Sequence, residues 1–553
     1  MTPMEKTQPR MRWWGWGEDG HDDPVKPGAK KMLTATCGWP KGVNHTPIDL
    51  DAVQLPEPDL PGRARAQFIE LLGADYVRED HATRVSHAAG RSLPDLLRLR
   101  RGTMPFAPDA VLYPESETEV DELLAICQAE RIAVVPFGGG TSVVGGIAAF
   151  RPNFRSCVCI SLARLEEVLD IDEESLTVTA QAGVFGPDLE EKLQSEGFTL
   201  GHFPQSFEFS TVGGWVATRS AGQQSSGYGR IDDNVFGLRA STPSGPITLR
   251  STPATAAGPN PRQMFVGSEG TFGIITQATL RIKSLPEAML PDAWFFRDFH
   301  SGATALRELE QQGLRPDIAR LSDVNETAFG LAQLGSDVQR KGLLAYLRAR
   351  GVTTPCMLVL RYDGPKAEAR VRRSTGREIA KRHRGVSVGG SPETMWEKHR
   401  FSTPYLRDQL LTEGIIVETM ETAAPWSRIE DLHETIKQDI EKSPAERGTP
   451  ALVLCHISHL YTSGCSLYYT VFAQQQEGQE MEQWKALKTA ASDAAVNNGG
   501  TITHHHGTGA DHAPWLPQET GDLWLQMLRA AKAEVDPEGI MNPGKLMHGP
   551  TEL

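Results

Sequence analysis

The spacing of apolar residues divides the chain into segments of different type. Residues 1 to about 60 show no regular period and are rich in Pro, Gly, Asp and Trp, which predicts irregular structure. Residues 63 to 100 repeat apolar positions at helical spacing, as in RARAQFIELLGA and SLPDLLRLRRG. We therefore expect an N-terminal irregular and helical segment over residues 1–103.

An α/β block follows over residues 104–286. DAVLYPES and RIAVVPF predict strands on either side of an amphipathic helix, ETEVDELLAICQAE. SCVCISL, SLTVTAQAG and ITQATLRIK predict further strands, and PDLEEKLQSEG predicts a second helix. This alternation is typical of one α/β domain.

Residues 287–500 have another pattern. The strands AWFFRDF, CMLVLRYDG, ALVLCHISHL and SLYYTVF are interspersed with the helices ATALRELEQQ, SRIEDLHETIKQDIEK and EQWKALKTAASDAAV. That order favours an antiparallel sheet flanked by helices, so we expect an α+β chain with a second, cap domain. Residues 501–553 contain a glycine break, a helix around 520 to 535 and DPEGIMNPGKL, and form a C-terminal segment.

Size and charge limit the classes of function. A chain of 553 residues is expected to form more than one core. Its formal net charge of −14 argues against nucleic-acid binding as its main role, because that usually requires a basic face. The sequence has no run of eighteen apolar residues and no apolar signal core near its start, and its terminal PTEL is not a known address, so we expect a cytoplasmic protein.

The seven cysteines are expected to be free thiols. Their number is odd and they lie mostly within apolar runs, which favours buried thiols over disulfides. Cys157 and Cys159 alternate in a predicted strand with no ligand partner at zinc spacing nearby.

Three glycine-rich stretches suggest a bound cofactor. FGGGTSVVGG (residues 137–146, the first glycine loop) follows a strand and leaves backbone N–H groups free for a phosphate, although alone it fits an ordinary turn equally well. FSTVGGWVATRSAGQQSSGYG (209–229, the second loop) and GSEGTFGIIT (267–276, the third loop) lie in the same block. Together they indicate a long ligand with a diphosphate.

These three loops, in this order, resemble the FAD-binding domain of the vanillyl-alcohol-oxidase and p-cresol-methylhydroxylase flavoproteins. The resemblance implies a two-subdomain FAD domain in which the first loop holds the diphosphate and the later loops line the rest of the cofactor. Some members attach FAD through a histidine of the first loop, which is absent here, so non-covalent FAD is expected. The matching cofactor-binding positions are Pro136, Gly138, Gly139, Gly140, Thr141, Ser142, Ser210, Thr211, Gly213, Gly214, Thr218, Ser220, Glu269, Gly270, Gly273 and Ile274.

Other segments resemble the alkyl-dihydroxyacetone-phosphate synthase family. They are MRWWGWG near the start, GHFPQSFEFSTVGGWVATRSAG, RLSD at 320–323, ETAAPW at 421–426, THHHGTG at 503–509 and DPEGIMNPGKL. The resemblance implies an enzyme that exchanges the acyl group of acyl-dihydroxyacetone-phosphate for a fatty alcohol through a covalent flavin N5–substrate adduct, with no net redox change. It also implies a homodimer and peripheral contact with a membrane.

The same resemblance assigns the general base to Tyr468. Strand alternation places Tyr468 and Tyr469 on opposite faces, so only one of them can face the flavin. Without the resemblance, two tyrosines that simply pack would be the simpler interpretation. A tyrosine base also requires a pKa lowered from near 10, for which the histidines and an arginine are the candidate cations.

His504, His505 and His506 are expected to handle protons and bind phosphate beside the flavin. A zinc site needs converging ligands, whereas neighbours in an extended segment point to opposite sides, and no carboxylate or thiol partner set is visible nearby, so no metal is expected. By resemblance, Arg407 contacts the substrate phosphate, Arg320 supports the active site and His202 belongs to it. Phe203 and Gln205 depart from the acidic residues of the animal enzymes, which leaves the details of the substrate open.

Two other functions remain open at this point. One is an FAD-dependent dehydrogenase or oxidase of a 2-hydroxy acid or alcohol on the same scaffold, because a fold alone does not fix a reaction. The other is a flavin-binding protein without catalysis. The histidine triplet and MRWWGWG favour the synthase.

Overall fold

The computed structural model describes residues 10–21, 24–333 and 337–547. The first nine residues of the segment with predicted irregular structure, and the terminal PTEL, lie outside the described residues. One part of that segment corrects the prediction, because PGAKKMLTAT forms helix α1 (Pro27–Thr36) with a proline in its first turn. Ala29 and Leu33 of α1 are fully buried against the cap domain, and this packing stabilises a helix that the local composition did not indicate.

The described residues form helices throughout the chain, including those that the sequence predicts. They are α1, α2 (Gly62–Leu72), α3 (His81–Ser86), α4 (Leu93–Arg101), α5 (Glu117–Glu130), α6 (Gly186–Ser195), α7 (Val212–Thr218), α8 (Ser225–Tyr228), α9 (Ile231–Asn234), α10 (Phe299–Gln311), α11 (Val324–Ala332), α12 (Asp337–Ala349), α13 (Lys366–Arg382), α14 (Ser391–His399), α15 (Thr403–Thr412), α16 (Ile429–Glu446), α17 (Glu480–Asn497), α18 (Leu516–Thr520) and α19 (Asp522–Val535).

The FAD-binding part contains two main sheets, which confirms its two subdomains. The first has the order β1-β2-β4-β3, in which β2, β3 and β4 are parallel, and the second is antiparallel with the order β5-β6-β10-β8-β9. A short pair, β7 with β11, lies apart. The strands are β1 (Val77–Arg78), β2 (Ala110–Leu112), β3 (Ala133–Phe137), β4 (Cys157–Ser161), β5 (Val168–Asp172), β6 (Thr177–Gln181), β7 (Phe198–Thr199), β8 (Val235–Thr242), β9 (Gly245–Leu249), β10 (Ile274–Arg281) and β11 (Lys283–Ser284).

The cap domain is one large antiparallel sheet, as predicted. Its order is β15-β12-β14-β13-β17-β19-β16, with β18 paired to β19. Helices α10, α13, α16 and α17 cover one face, and their apolar residues form the largest core with the strands. The strands are β12 (Ala288–Phe296), β13 (Ile318–Ser322), β14 (Cys356–Gly364), β15 (Val386–Gly389), β16 (Ile415–Pro425), β17 (Leu452–Ile457), β18 (Leu460–Tyr461) and β19 (Gly464–Gln474).

Burial supports the interpretation of the cysteines. All seven are free and buried, as expected from their apolar surroundings. Burial also raises the pKa of the Cys37 thiol to about 11, so this thiol is protonated near neutral pH. Across the part of the chain that the structure describes, no helix combines the length and apolar character needed to cross a membrane.

Candidate active site

The stretch THHHGTG, called here the histidine loop (residues 503–509), is held at its start by the cap domain. Glu421 lies in the middle of β16, directly opposite Tyr468 of β19 in the antiparallel pairing. Its Oε1 accepts the backbone N–H groups of residues 504, 505 and 506 at 3.0, 2.6 and 2.6 Å. It also accepts the hydroxyl of Thr503 at 3.0 Å. One carboxylate oxygen therefore orients the whole triplet.

The FAD-binding part holds the other end of the histidine loop. The two oxygens of Glu269 accept the N–H groups of Thr508 and Gly509, each at 2.6 Å. Gly509 has a φ of +54°, and a side chain there would overlap the carbonyl oxygen of Val144 in the first glycine loop. The glycines after the triplet therefore allow the backbone to pass close to the cofactor loops.

The three imidazoles have different partners. His504 is hydrogen-bonded through Nε2 to the hydroxyl of Tyr461 at 2.6 Å, and its ring stacks on that of His459. His505 Nδ1 lies 2.9 Å from His504 Nδ1 and 2.5 Å from Glu421 Oε2. His504 therefore anchors the loop, while His505 pairs with the carboxylate behind it.

Burial and charge set the ionisation of this cluster. Burial, followed by the positive charge of His505, holds the pKa of His504 well below its usual value. Burial also lowers the pKa of His506, to about 4. For Glu421, burial raises the pKa of the carboxyl, but the interaction with the imidazoles, that of His505 first, outweighs burial and holds this pKa well below its usual value. Near neutral pH, His504 and His506 are uncharged and Glu421 is a carboxylate.

Tyr468 lies against this cluster. Its ring stacks on His456 with the centroids 4.9 Å apart and on His505 at 6.1 Å, and it meets His506 edge-on at 5.5 Å. Tyr469 points to the opposite face, where it is buried in the cap core. The alternation expected for the two tyrosines is therefore present, and Tyr468 is the one beside the histidines.

The expected lowering of the Tyr468 pKa by the side chains around it is wrong. Burial is the main reason that the pKa of Tyr468 is raised to about 12. The negative charge of Glu421 also raises this pKa, whereas a hydrogen bond with Thr419 lowers it. The reason is that buried histidines lose their charge, so two members of the triplet are not the cations that the expectation required.

Arg320 and His202 have different partners near this cluster. The Arg320 guanidinium donates to Glu326 at 2.6 Å and contacts His456 Nδ1 at 3.0 Å, and His456 in turn stacks on Tyr468. His202 is buried, with Nε2 3.2 Å from the Ser220 hydroxyl. Burial and then the charge of His505 lower the pKa of His202 to about 3. Arg320 therefore reaches Tyr468 through His456, and His202 is a neutral ring.

Arg407, which is expected to contact the substrate phosphate, has its partners away from the triplet. Its guanidinium donates to the carbonyl of Arg91 at 2.9 Å and lies 3.3 Å from the Asp408 carboxylate. Asp408 also accepts the N–H of Trp16 from MRWWGWG. The N–H of Arg91 donates to the carbonyl of Ser142 at 2.6 Å. Within the described contacts, Arg407 is thus connected to the first glycine loop and not to Tyr468.

The residues at positions 203 and 205, which depart from the family pattern, lie where the two domains meet. The Gln205 amide donates to the carbonyl of Arg400 at 2.8 Å, and the Arg400 guanidinium lies over the Phe203 ring at 4.7 Å. Both residues therefore contact the cap domain.

The first glycine loop has the features needed for a diphosphate. Among the hydrogen bonds of the described residues, the five consecutive amide N–H groups of residues 138–142 have no acceptor within the chain. A side chain at Gly139 would overlap the carbonyl oxygen of Phe209, and one at Gly270 would lie 2.8 Å from Pro136. The three glycine loops thus meet, and free backbone donors remain available to an anion.

The second loop continues into a helix. Thr211 caps α7 by accepting the N–H of Gly214 at 3.4 Å, and Ser210 accepts the indole N–H of Trp215 at 2.7 Å. The Thr218 hydroxyl donates to the Gly214 carbonyl at 2.9 Å. These side chains stabilise the turn into α7.

Two expected cofactor positions have an evident packing role. Ile274 is buried in the core, and Gly213 leaves space for the methyl group of Ala182. Gly273 has a φ of +152°, which glycine tolerates best, immediately before β10 begins.

Sequence reasoning missed four residues of the cluster: Glu326, Glu421, His456 and His459. The histidines were visible in ALVLCHISHL, and Glu421 was visible in ETAAPW, but only the pairing of β16, β17 and β19 places Glu421 and His456 beside Tyr468. His459 lies against His504 and His505. The fold thus assembles a carboxylate and imidazole set that the sequence alone did not reveal.

Among the residues that the structure describes, two groups of side chains have the composition of a metal site. They are His459 with His504 and His505, and Glu421 with His505 and His506. However, His505 Nδ1 lies only 2.9 Å from His504 Nδ1 and 2.5 Å from Glu421 Oε2. Two ligands of one zinc ion, each at about 2.0–2.1 Å and in tetrahedral positions, would lie farther apart than this.

Two family models match the chain. The model described as "FAD binding domain" covers residues 108–249, and the model described as "FAD linked oxidases, C-terminal domain" covers residues 285–546. The first contains Gly138–Ser142 and the start of α7, and the second contains Tyr468 and the histidine loop. The prediction of FAD as the cofactor is confirmed.

The chain is similar to alkyldihydroxyacetonephosphate synthase of Dictyostelium discoideum, with 34% identity over 499 residues that cover 88% of this chain and 82% of the relative. The enzyme of that name from Trypanosoma brucei brucei is 32% identical, with coverage of 98% and 93%. A solved structure of alkyldihydroxyacetonephosphate synthase matches with a TM-score of 0.85 and 29% identity, and covers 97% of this chain and 98% of its own.

Proposed function

Because the chain belongs to the alkyldihydroxyacetonephosphate synthase family of FAD-dependent enzymes, we propose that it exchanges the fatty acyl group of acyl-dihydroxyacetone-phosphate for a long-chain alcohol. The observation that carries the proposal is the packing of Tyr468 against a histidine loop that both domains hold. The reaction has no net redox change, because a carboxylate leaves and an alkoxy group takes its place.

FAD, bound non-covalently, would lie with its diphosphate on the N–H groups of residues 138–142. When bound, it would supply an electrophilic ring nitrogen that retains the substrate carbon skeleton between departure of the acylate and entry of the alcohol. The amides and the crowded glycines of the first loop are the residues that would hold it.

The side chains around Tyr468 would move protons. Tyr468 takes the proton from C1 of the substrate, and the uncharged ring of His506 next to it is able to accept a proton. Since its surroundings hold the Tyr468 pKa near 12, the tyrosine must pass its own proton on as it receives another. Arg407 binds the phosphate, and Arg320 orients His456 behind Tyr468.

A turnover assay tests the proposal. Purified holoenzyme with acyl-dihydroxyacetone-phosphate and hexadecanol should release fatty acid without any electron acceptor, at a rate that depends on the alcohol. Bleaching of the flavin by D-lactate or glycolate, with no acyl exchange, would instead identify a redox enzyme and overturn the synthase.

Lipid substrates require contact with a membrane surface. Helix α19 exposes Leu523, Trp524 and Met527, with 71%, 43% and 56% of their surface accessible, and we propose that they insert between lipid headgroups. Changing all three to serine should abolish sedimentation with phosphatidylcholine vesicles, whereas the matched control Val371→Ser (a residue 65% exposed on α13) should not. Equal sedimentation of both variants would refute the role of this surface in membrane binding.

A homodimer and a cytoplasmic location stay predictions, and light scattering tests the first of them.

A further inference from the structure

Glu421 has an unusual hydrogen-bonding role. Three successive backbone N–H groups, those of residues 504 to 506, converge on a single oxygen of its carboxylate. Such a concave row of N–H groups is a common binding site for anions, and here the anion is a side chain of the same protein. Glu421 is 5% exposed, so its contacts are shielded from water.

The second oxygen of Glu421 faces an imidazole. Oε2 lies 2.5 Å from His505 Nδ1, a salt bridge when His505 is protonated, whereas His506 Nδ1 is 3.9 Å from Oε1. Such a partner stabilises a buried carboxylate, because burial of an unpaired charge is unfavourable. The other titratable or charged groups around Glu421 are His504 and His512 from the C-terminal segment, Tyr468 and His459 from the cap sheet, Lys488 from α17 and Arg230 from the loop before α9.

The position of the His505 ring matters because this ring stacks on Tyr468, with an angle of 20° between the ring planes. We propose that Glu421 is the positioning residue of the site: it fixes the backbone of the triplet and the ring of His505 relative to Tyr468, and serves as the charge partner of His505. This inference rests on the proposed function for its kinetic consequences but not for its geometry.

Kinetics of the holoenzyme provide the first test. Glu421→Gln keeps an oxygen for the N–H groups but removes the charge, so kcat should fall on the order of 100-fold, as misplacement by about 1 Å would cause. The KM and the FAD content should stay within about twofold of the wild type, and the pH profile of kcat should change shape. Glu421→Asp keeps the charge but withdraws it by one methylene, and should retain more activity than Glu421→Gln.

A histidine NMR signal provides a readout independent of turnover. In holoenzyme labelled with ¹³C at histidine Cε1, the signal of His505, identified by its loss in His505→Gln, should change its chemical shift in Glu421→Gln relative to the wild type, because the ring loses the carboxylate that lies 2.5 Å from its Nδ1. The matched control is Glu418→Gln on the same strand, whose carboxylate accepts the indole N–H of Trp484 at 2.7 Å and does not bond the loop. The control should leave the His505 chemical shift unchanged.

The outcomes separate the two proposals. A wild type without acyl exchange refutes the proposed function, while the NMR signal still tests the role of Glu421. An unchanged His505 signal in Glu421→Gln, or an activity loss fully explained by lost FAD, overturns the positioning role. If Glu421→Gln does not fold, Glu421→Asp provides the test, because full activity in Glu421→Asp would also overturn the positioning role of Glu421.

Discussion

Two buried glutamates hold the two ends of the histidine loop, and they differ in ionisation. Glu421 from the cap domain and Glu269 from the FAD-binding part both accept backbone N–H groups at 2.6 Å. Yet the pKa of Glu421 is held well below its usual value, whereas burial raises that of Glu269 to about 7, against the hydrogen bonds from Thr508 and Gly509.

The difference lies in the partner beyond the backbone. Glu421 has the His505 ring within 2.5 Å, whereas at Glu269 burial outweighs the two amide hydrogen bonds and the charge of Lys545. Backbone hydrogen bonds alone therefore do not keep a buried carboxylate ionised, and a nearby cation does. On our proposals, the cap-domain end of the histidine loop takes part in catalysis, and the other end attaches the histidine loop to the cofactor loops.

Replacing Tyr468 by Phe should have the largest effect, at the cap-domain end. Acyl exchange should fall about 10³-fold or more, because the group that accepts the C1 proton is removed while the ring remains. FAD absorbance and the melting temperature should stay close to those of the wild type, because only the hydroxyl is lost. Initial rates of fatty acid release measure the effect.

Tyr469→Phe is the matched control for this variant. Tyr469 is adjacent in sequence but points into the core, where its hydroxyl donates to the His433 carbonyl at 3.4 Å. The Tyr469→Phe variant should keep the activity and lose about 1 kcal/mol of stability. Full activity in Tyr468→Phe, or equal losses of activity in both variants, would show that Tyr468 does not accept the C1 proton.

The contrast between the two ends could be predicted only in part. Apolar periodicity was sufficient for the strands, the helices and the opposite faces of Tyr468 and Tyr469, because these depend on local spacing. The role of Glu421 was not predictable, since it is more than eighty residues from the triplet and reaches it only through the pairing of β16 with β19. Glu269 was expected near FAD, but not as a ligand of the loop.

The error about the Tyr468 pKa has the same origin. A count of histidines near a tyrosine suggests positive charge, but whether each histidine is charged depends on its burial and partners. The tertiary structure makes His504 and His506 neutral and places the carboxylate of Glu421 beside the tyrosine, which reverses the sign of the expected shift.

Glu269→Gln tests the other end of the loop. Because the pKa of Glu269 is raised from 4.5 to about 7 on folding, its contribution to stability is fully present below pH 4.5 and is lost as the pH rises through 7. Glutamine does not titrate. The free energy of unfolding of the variant, relative to the wild type, should therefore increase by about 3 kcal/mol between pH 4.5 and 8.

Thermal unfolding of both holoenzymes across this pH range measures the change. Near pH 5 the variant should be the less stable protein by about 1 kcal/mol, because the amide offers one acceptor for two N–H groups. Glu421→Gln should show the opposite trend, since a lowered pKa contributes stability above pH 4.5 that is lost at acid pH. Parallel curves for the two variants would refute the contrast between the ends.

Arg407→Ala should have the smallest effect, and it should weaken substrate binding without slowing the chemical step. Although Arg407 belongs to α15, its contacts lead through Arg91 to the first glycine loop. Loss of a phosphate-binding guanidinium should raise the KM for acyl-dihydroxyacetone-phosphate about tenfold and leave kcat within about twofold. Arg320→Lys, which disturbs His456 beside Tyr468, should instead lower kcat with little change in KM. If Arg407→Ala lowered kcat and left KM unchanged, the arginine would belong to the catalytic end of the loop, and the separation of binding from chemistry would fail.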